Sequence, residues 1–158
     1  MLRKNKPIVA AGRPGHPQLA KLPEWPAGTI AVLCTTDGGP HAIPVAAPVR
    51  ADDQRVLVSL ERTRGSLARL RENPQVALAI LSGGNVAFTA LGRARIVQES
   101  MPDALDFVAV EIDVEKIEDH RSTGVAVESG VGVQFADDAD LSLRKRIAVL
   151  QDLSERKG

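Results

Sequence analysis

Aromatic side chains are nearly missing from this sequence: 158 residues carry three Phe, one Trp and no Tyr. The core must therefore be built from Val, Leu, Ile and Ala. Surfaces on which bases or sugars stack are few, which argues against single-strand nucleic-acid binding. An excess of charge is missing too. Lys+Arg and Asp+Glu balance at 20 each, so no global field draws nucleic acid or an anionic membrane. A local basic cluster can still bind one small anion. Cysteine is reduced to Cys34, which excludes an internal disulfide. Its apolar neighbours read as the surroundings of a buried small side chain. No apolar run reaches the length that spans a bilayer. The basic start Met1-Leu2-Arg3-Lys4-Asn5-Lys6 has no apolar stretch after it. The reading is a cytoplasmic protein without a signal peptide.

The length suits one domain with a real core. Residues 1–27 are rich in Pro and Gly and read as an N-terminal arm, with one helical turn near Gln18 to Lys21. Residues 28–158 read as a single domain. Thr29 to Thr35 is β-branched and apolar and closes on the turn Asp37-Gly38-Gly39-Pro40. His41 to Arg50 and Arg55 to Leu60 follow as strands, and short turns predict an antiparallel meander of the three. A short helix spans Ser66 to Glu72, and Asn73-Pro74 ends it. Val76 to Leu81 and Val86 to Val97 flank Ser82-Gly83-Gly84-Asn85, a hairpin signal resting on the Gly-Gly pair. Phe107 to Ile117 alternates: Val108, Val110, Ile112 and Val114 face the core, while Glu111, Asp113 and Glu115 face water. Thr123 to Glu128 and Val131 to Phe135, around a Ser129-Gly130 turn, offer a seventh strand. A last helix covers Asp140 to Ser154, with Leu143, Ile147 and Leu150 as its apolar stripe. The fold expected is mainly β: an antiparallel six- to seven-stranded split β-barrel with a short crossover helix and a C-terminal helix. The first and fourth strands are apolar on both faces. One face fills the barrel and the other needs a helix or a second subunit over it.

Chemistry concentrates in Glu61-Arg62-Thr63-Arg64-Gly65-Ser66-Leu67-Ala68-Arg69, at a strand-to-helix junction. Free N–H groups at a helix start and Arg guanidinium groups together can cradle a phosphate. Spacing alone fits a solvated helix start better, with Ser66 or Thr63 as N-cap. In His41-Ala42-Ile43-Pro44-Val45-Ala46-Ala47-Pro48, two prolines of equal parity border an opening in the sheet. Ala46 and Ala47 leave room there for a flat ring to approach the backbone, although proline also simply blunts an edge strand. His16, His41 and His120 are scattered without paired spacing, so no metal site is expected. Glu118-Asp119-His120-Arg121 reads as charged surface. No nucleophile elbow, P-loop or complete dinucleotide fingerprint is present.

The order of these segments resembles the FMN-binding split-barrel, or pyridoxamine 5'-phosphate oxidase-like, family. Leu33 to His41 is similar to the family's first hairpin. Arg64 to Leu78 is similar to its phosphate-binding turn, short helix, Asn-Pro and next strand. Gly92-Arg93-Ala94-Arg95 is similar to its Gly-basic-Ala motif. The resemblance covers about residues 22–117. It implies a homodimer with two FMN sites between subunits and a small-molecule redox substrate, without nucleic acid or membrane as partner. The phosphate would lie on Arg62, Arg64, Ser66 and Arg69, and the ring against Val45, Ala46, Ala47 and Ser59. The family often has Lys where Ser66 stands, so Arg64 or Arg62 would have to supply that charge. No catalytic acid or base stands out, as expected where a flavin carries the redox step. The deazaflavin F420 is the alternative cofactor. The rival class is a flavin- or haem-binding module without activity, or a barrel with no cofactor.

Overall fold

A computed structural model describes residues 15–156. Eight strands form one antiparallel sheet: β1 Gln18–Leu19, β2 Ile30–Thr36, β3 Pro40–Ala46, β4 Val49–Asp52, β5 Arg55–Glu61, β6 Gln75–Ser82, β7 Val86–Gln98 and β8 Phe107–Asp119. Helix α1, Gly65–Glu72, follows β5, and helix α2, Asp137–Ser154, follows the last strand. The order across the sheet is β3-β2-β6-β7-β8-β5-β4, and β1 pairs with the far end of β8. Such a sheet, curled on an apolar interior and left unclosed, is the expected split barrel.

The closing point lies inside the second predicted strand. His41 to Arg50 is not one strand but two, broken at Ala47 and Pro48. Ala47 has φ 54°, a left-handed conformation uncommon outside Gly. Pro48 has no N–H to give to a ladder. The chain therefore leaves β2's edge and joins β5's edge: β3 pairs with β2, and β4 pairs with β5. The predicted meander is thus wrong in one respect, since β3 and β4 end up at opposite edges of the sheet. Of the expected arm, residues 1–14 lie outside the described residues, and the described part differs from expectation at one place. Gln18 and Leu19 pair with Glu118 and Ile117 instead of forming a helical turn, and Leu22 reaches the core.

The barrel interior holds Ala31, Leu33, Val45, Val56, Val58, Leu60, Leu78, Ile80, Phe88, Val110 and Ile112, with Leu67 and Leu70 of α1 plugging one end. Alternation along β8 is as read, and Asp113 and Glu115 are exposed as expected, but Glu111 is not. Glu111 is 6% exposed. α2 covers its side of β8: Leu150 packs with Leu57, Met101, Ala104 and Ala109. Under this cover Glu111 takes Arg55 Nη1 at 3.2 Å and Arg95 Nη2 at 2.9 Å. Arg55 also donates to the Ser154 and Arg156 carbonyls at the end of α2. A carboxylate buried on two guanidinium groups thus anchors the helix.

Two smaller expectations need correction. The β6–β7 turn does not use the Gly pair: the positive φ angles fall on Gly84 (78°) and Asn85 (57°). Residues 123–136 form no strand. They cross the β6–β7 turn irregularly, held by mutual bonds between Asn85 and Val127. Their Val and Phe residues had suggested a strand, yet Val131, Val133 and Phe135 are exposed.

Gly92 lies at a register shift between β7 and β8, where a Cβ would stand 2.1 Å from the Asp113 carbonyl oxygen. That backbone approach accounts for glycine at the head of the Gly-basic-Ala motif. Gly92→Ala should destabilise by roughly 1–3 kcal/mol, whereas Gly132→Ala, with nothing within 4 Å, should change little. Equal thermal midpoints for the two variants would contradict this. Glu111→Ala removes the buried one of Arg55's two carboxylate partners, leaving Asp52 at 3.0 Å, and should cost about 1.5–3 kcal/mol in urea unfolding. A cost under about 1 kcal/mol would show that α2 is anchored by packing alone.

Candidate functional site

Where the barrel is split, β3 and β5 approach without pairing, and a cleft opens between them. Ile43, Pro44, Val45 and Ala46 form one wall; Ser59, Leu60 and Glu61 form the other. Arg64, Phe107 and Arg146 complete the lining, and the cavity volume is about 190 Å³. Pro44 and Ala46 keep the β3 side small. The turn at Ala47 ends this wall, and the Ala47 N–H is tied to the Thr29 carbonyl at 2.8 Å.

The polar lining consists of two guanidinium groups, one carboxylate and one hydroxyl. Arg64 Nε pairs with Glu61 Oε2 at 3.1 Å. Arg146 reaches in from α2: its Nη1 donates to Ser59 Oγ at 2.9 Å, and its guanidinium carbon lies 3.8 Å from the Phe107 ring centroid. Arg146 Nε is buried without a hydrogen-bond partner. Burial pushes the Arg146 pKa below its ordinary value, opposed by the field of Glu61. The cleft is therefore apolar along β3, cationic at the α2 side and polar at Ser59.

Four predicted site residues meet here: Val45, Ala46, Ser59 and Arg64. The other four do not line the cleft. Ala47 faces a neighbouring groove of about 360 Å³ with Trp25, Pro48, Arg50 and Ile147. Arg62 turns to the loop after β7, where its Nη2 donates to the Glu99 and Leu105 carbonyls. Ser66 is 2% exposed, inside the first turn of α1. Arg69 folds back over Gly65. The N-cap is neither Ser66 nor Thr63 but Arg64, without a side-chain cap.

Glu61, Phe107 and Arg146 were not anticipated as site residues. For Arg146 the signal existed. With Leu143, Ile147 and Leu150 it completes an i, i+3, i+4, i+7 stripe, so a cation stands on the packed face of a helix. The histidines are less scattered than their spacing suggests: the His16 and His120 rings lie 4.5 Å apart, edge to face, and His120 Nε2 meets Thr89 Oγ1 at 2.7 Å. Among the described residues no group of three His, Cys, Asp or Glu is placed to hold a metal ion. Cys34 is half-buried on the outer face of β2, not in the core. No helix among the described residues is long and apolar enough to cross a membrane.

The sequence profile of the pyridoxamine 5'-phosphate oxidase family matches residues 19–121, more than half of the chain. Solved structures share the fold at low identity. A proposed pyridoxamine 5'-phosphate oxidase from Listeria innocua is 19% identical, with TM-score 0.50, over 60% of this chain and 90% of that one. HupZ of Group A Streptococcus is 16% identical, with TM-score 0.51, over 66% and 90%. An F420 reductase is 13% identical, with TM-score 0.51, over 60% and 92%. No curated protein matches the chain.

Proposed function

Because the chain belongs to the pyridoxamine 5'-phosphate oxidase family, we propose that it is an FMN-dependent oxidoreductase, working in the cytoplasm as a homodimer on a small-molecule substrate. One observation carries this reading. Val45, Ala46, Ser59 and Arg64 come from separate segments and converge on one cleft. They are four of the eight residues that the family pattern, independently of any contact, assigns to the cofactor.

The residues suit a flavin. An apolar, small-residue wall at Val45 and Ala46 accepts a flat ring against the backbone, and Ser59 offers it a hydrogen bond. The start of α1 leaves N–H groups without intrahelical carbonyls. Arg64 and Arg69 stand beside that start. Arg62 is committed to two carbonyls, so it shapes the loop and does not hold the phosphate. When bound, the flavin supplies the electron-transfer chemistry, and the protein's part is to orient the ring and exclude water.

A single chain makes only part of this site, since its cleft is smaller than the roughly 300–1,000 Å³ usual for such ligands. A second copy is the proposed other wall. Its support is the outer face of β2, β3 and β6, where Val32 (40% exposed) lies in register with Pro44 and Ala79, and Cys34 with Ala42 and Ala77. Leu81 extends the patch at 59% exposure.

Light scattering at micromolar concentration should give about twice the chain mass; a strict monomer would remove the shared-site arrangement. The absorbance of the purified protein should show a flavin. A colourless protein that takes up added F420 would replace FMN by the deazaflavin, and one that binds neither would end the oxidoreductase reading. Arg64→Ala should weaken FMN about tenfold or more and leave riboflavin, which has no phosphate, nearly unchanged. Unchanged FMN affinity, or an equal loss for riboflavin, would take Arg64 out of the phosphate site.

A further inference from the structure

Arg146 is the cleft residue that lies outside the stretch matched by the family profile. It does not belong to the barrel strands or to α1. It comes from the packed stripe of α2, where the three other positions are apolar. The chain therefore accepts the cost of drawing a guanidinium toward an apolar face. What it receives in return is incomplete. The hydrogen bond to Ser59 ends on a neutral hydroxyl, and the stacking partner is the Phe107 ring. The Nε donor has no acceptor at all. The facing carboxylate is Glu61, and it already takes Arg64. Two cations and one anion line the cleft, which leaves one positive charge unmatched on a half-buried wall. A buried donor left open costs free energy of the same order as a hydrogen bond contributes, so this pose is readily exchanged for one in which the guanidinium meets an anion.

We propose that Arg146 is a ligand-binding residue that seats a small oxyanion, a carboxylate or a phosphate group, at the α2 side of the cleft. Guanidinium is the side chain suited to this, because its planar fork can hold two oxygens of one carboxylate or phosphate. Phe107 fixes the plane of the fork by stacking, and Ser59 holds one end of it until the oxyanion arrives. The cleft's small volume admits such a group beside Ser59 and Phe107. The anion narrows the substrate class. Under the proposed function it belongs either to an anionic substrate or to the cofactor's own phosphate; the inference rests on that reading only for this last choice.

The test begins without any flavin. Inorganic phosphate and acetate are titrated into the full chain, following thermal stability and the Phe107 ring resonances by NMR. Wild type should be stabilised, with Phe107 shifting as the stacked guanidinium moves. Arg146→Ala should weaken phosphate about tenfold or more. Arg146→Lys keeps the charge without the fork and should fall between the two, which also covers the case that the alanine variant folds poorly. Phosphate affinity that is absent in wild type, or equal in all three proteins, overturns the proposal. FMN and riboflavin titrations then locate the oxyanion. If Arg146→Ala weakens FMN alone, the group is the cofactor's phosphate. If it leaves both unchanged while phosphate binding is lost, the group belongs to the substrate. A protein that binds phosphate through Arg146 but no flavin keeps this inference and ends the FMN reading instead.

Discussion

The barrel depends on one corner of the backbone, Ala47-Pro48. Without it, β3 and β4 would continue as one straight strand along a single edge. Left-handed φ at Ala47 turns the chain sharply, and Pro48 withholds the donor that would have extended the ladder. The following residues then pair with β5, at the other end of the sheet. The corner is costly for a residue with a Cβ, and the surrounding structure holds it in place: Ala47 is 4% exposed and its N–H is bonded to Thr29. Everything at the site follows from this geometry, since the same turn that joins the two edges also leaves β3 and β5 side by side without pairing.

The cleft needs a second constraint, because a split in a sheet is only an edge until something covers it. α2 is that cover. Leu143 and Leu150 bury its inner stripe, and the Arg55–Glu111 pair grips its final carbonyls. Anchoring at the far end places the middle of the helix, with Arg146, over Ser59 and Phe107. The charged pair and the cleft are thus connected mechanically through a helix, although about half of α2 lies between Arg146 and Ser154. Among the described residues the apolar outer face of β2 and β6 has no such cover, and that asymmetry between the two sides of the barrel is what supports the proposal of a second copy.

Most of the strand plan is legible in the sequence, because period-two alternation and turn residues are local signals. The β6–β7 hairpin, the α1 boundary at Asn73-Pro74 and the long β7 and β8 strands lie within a residue or two of where the pattern puts them. The misreadings share a cause. Glu111 alternates as a surface residue should, and only the placement of a distant helix buries it. His16 and His120 are 104 positions apart in sequence, and only β1 joining β8 brings their rings together. Val131 to Phe135 has the composition of a strand, yet this segment pairs with no strand and lies exposed beyond the β6–β7 turn.

The candidate site divides in the same way. The sequence by itself determined which residue types stand at the strand-to-helix junction and along the proline-bordered strand, since those are matters of local order. Ala46 and Arg64 stood out for that reason, whereas Val45 and Ser59 were implied only by the family resemblance. Which of several arginines faces the cleft was decided only by tertiary structure. Arg62 and Arg64 are two residues apart, yet carbonyls of the loop after β7 capture one and leave the other beside Glu61. Arg146 is far from both in the chain and enters through the docking of α2. Local sequence sets what a segment can form; the direction in which a long side chain turns depends on partners supplied by other segments, and those exist only once the chain has folded.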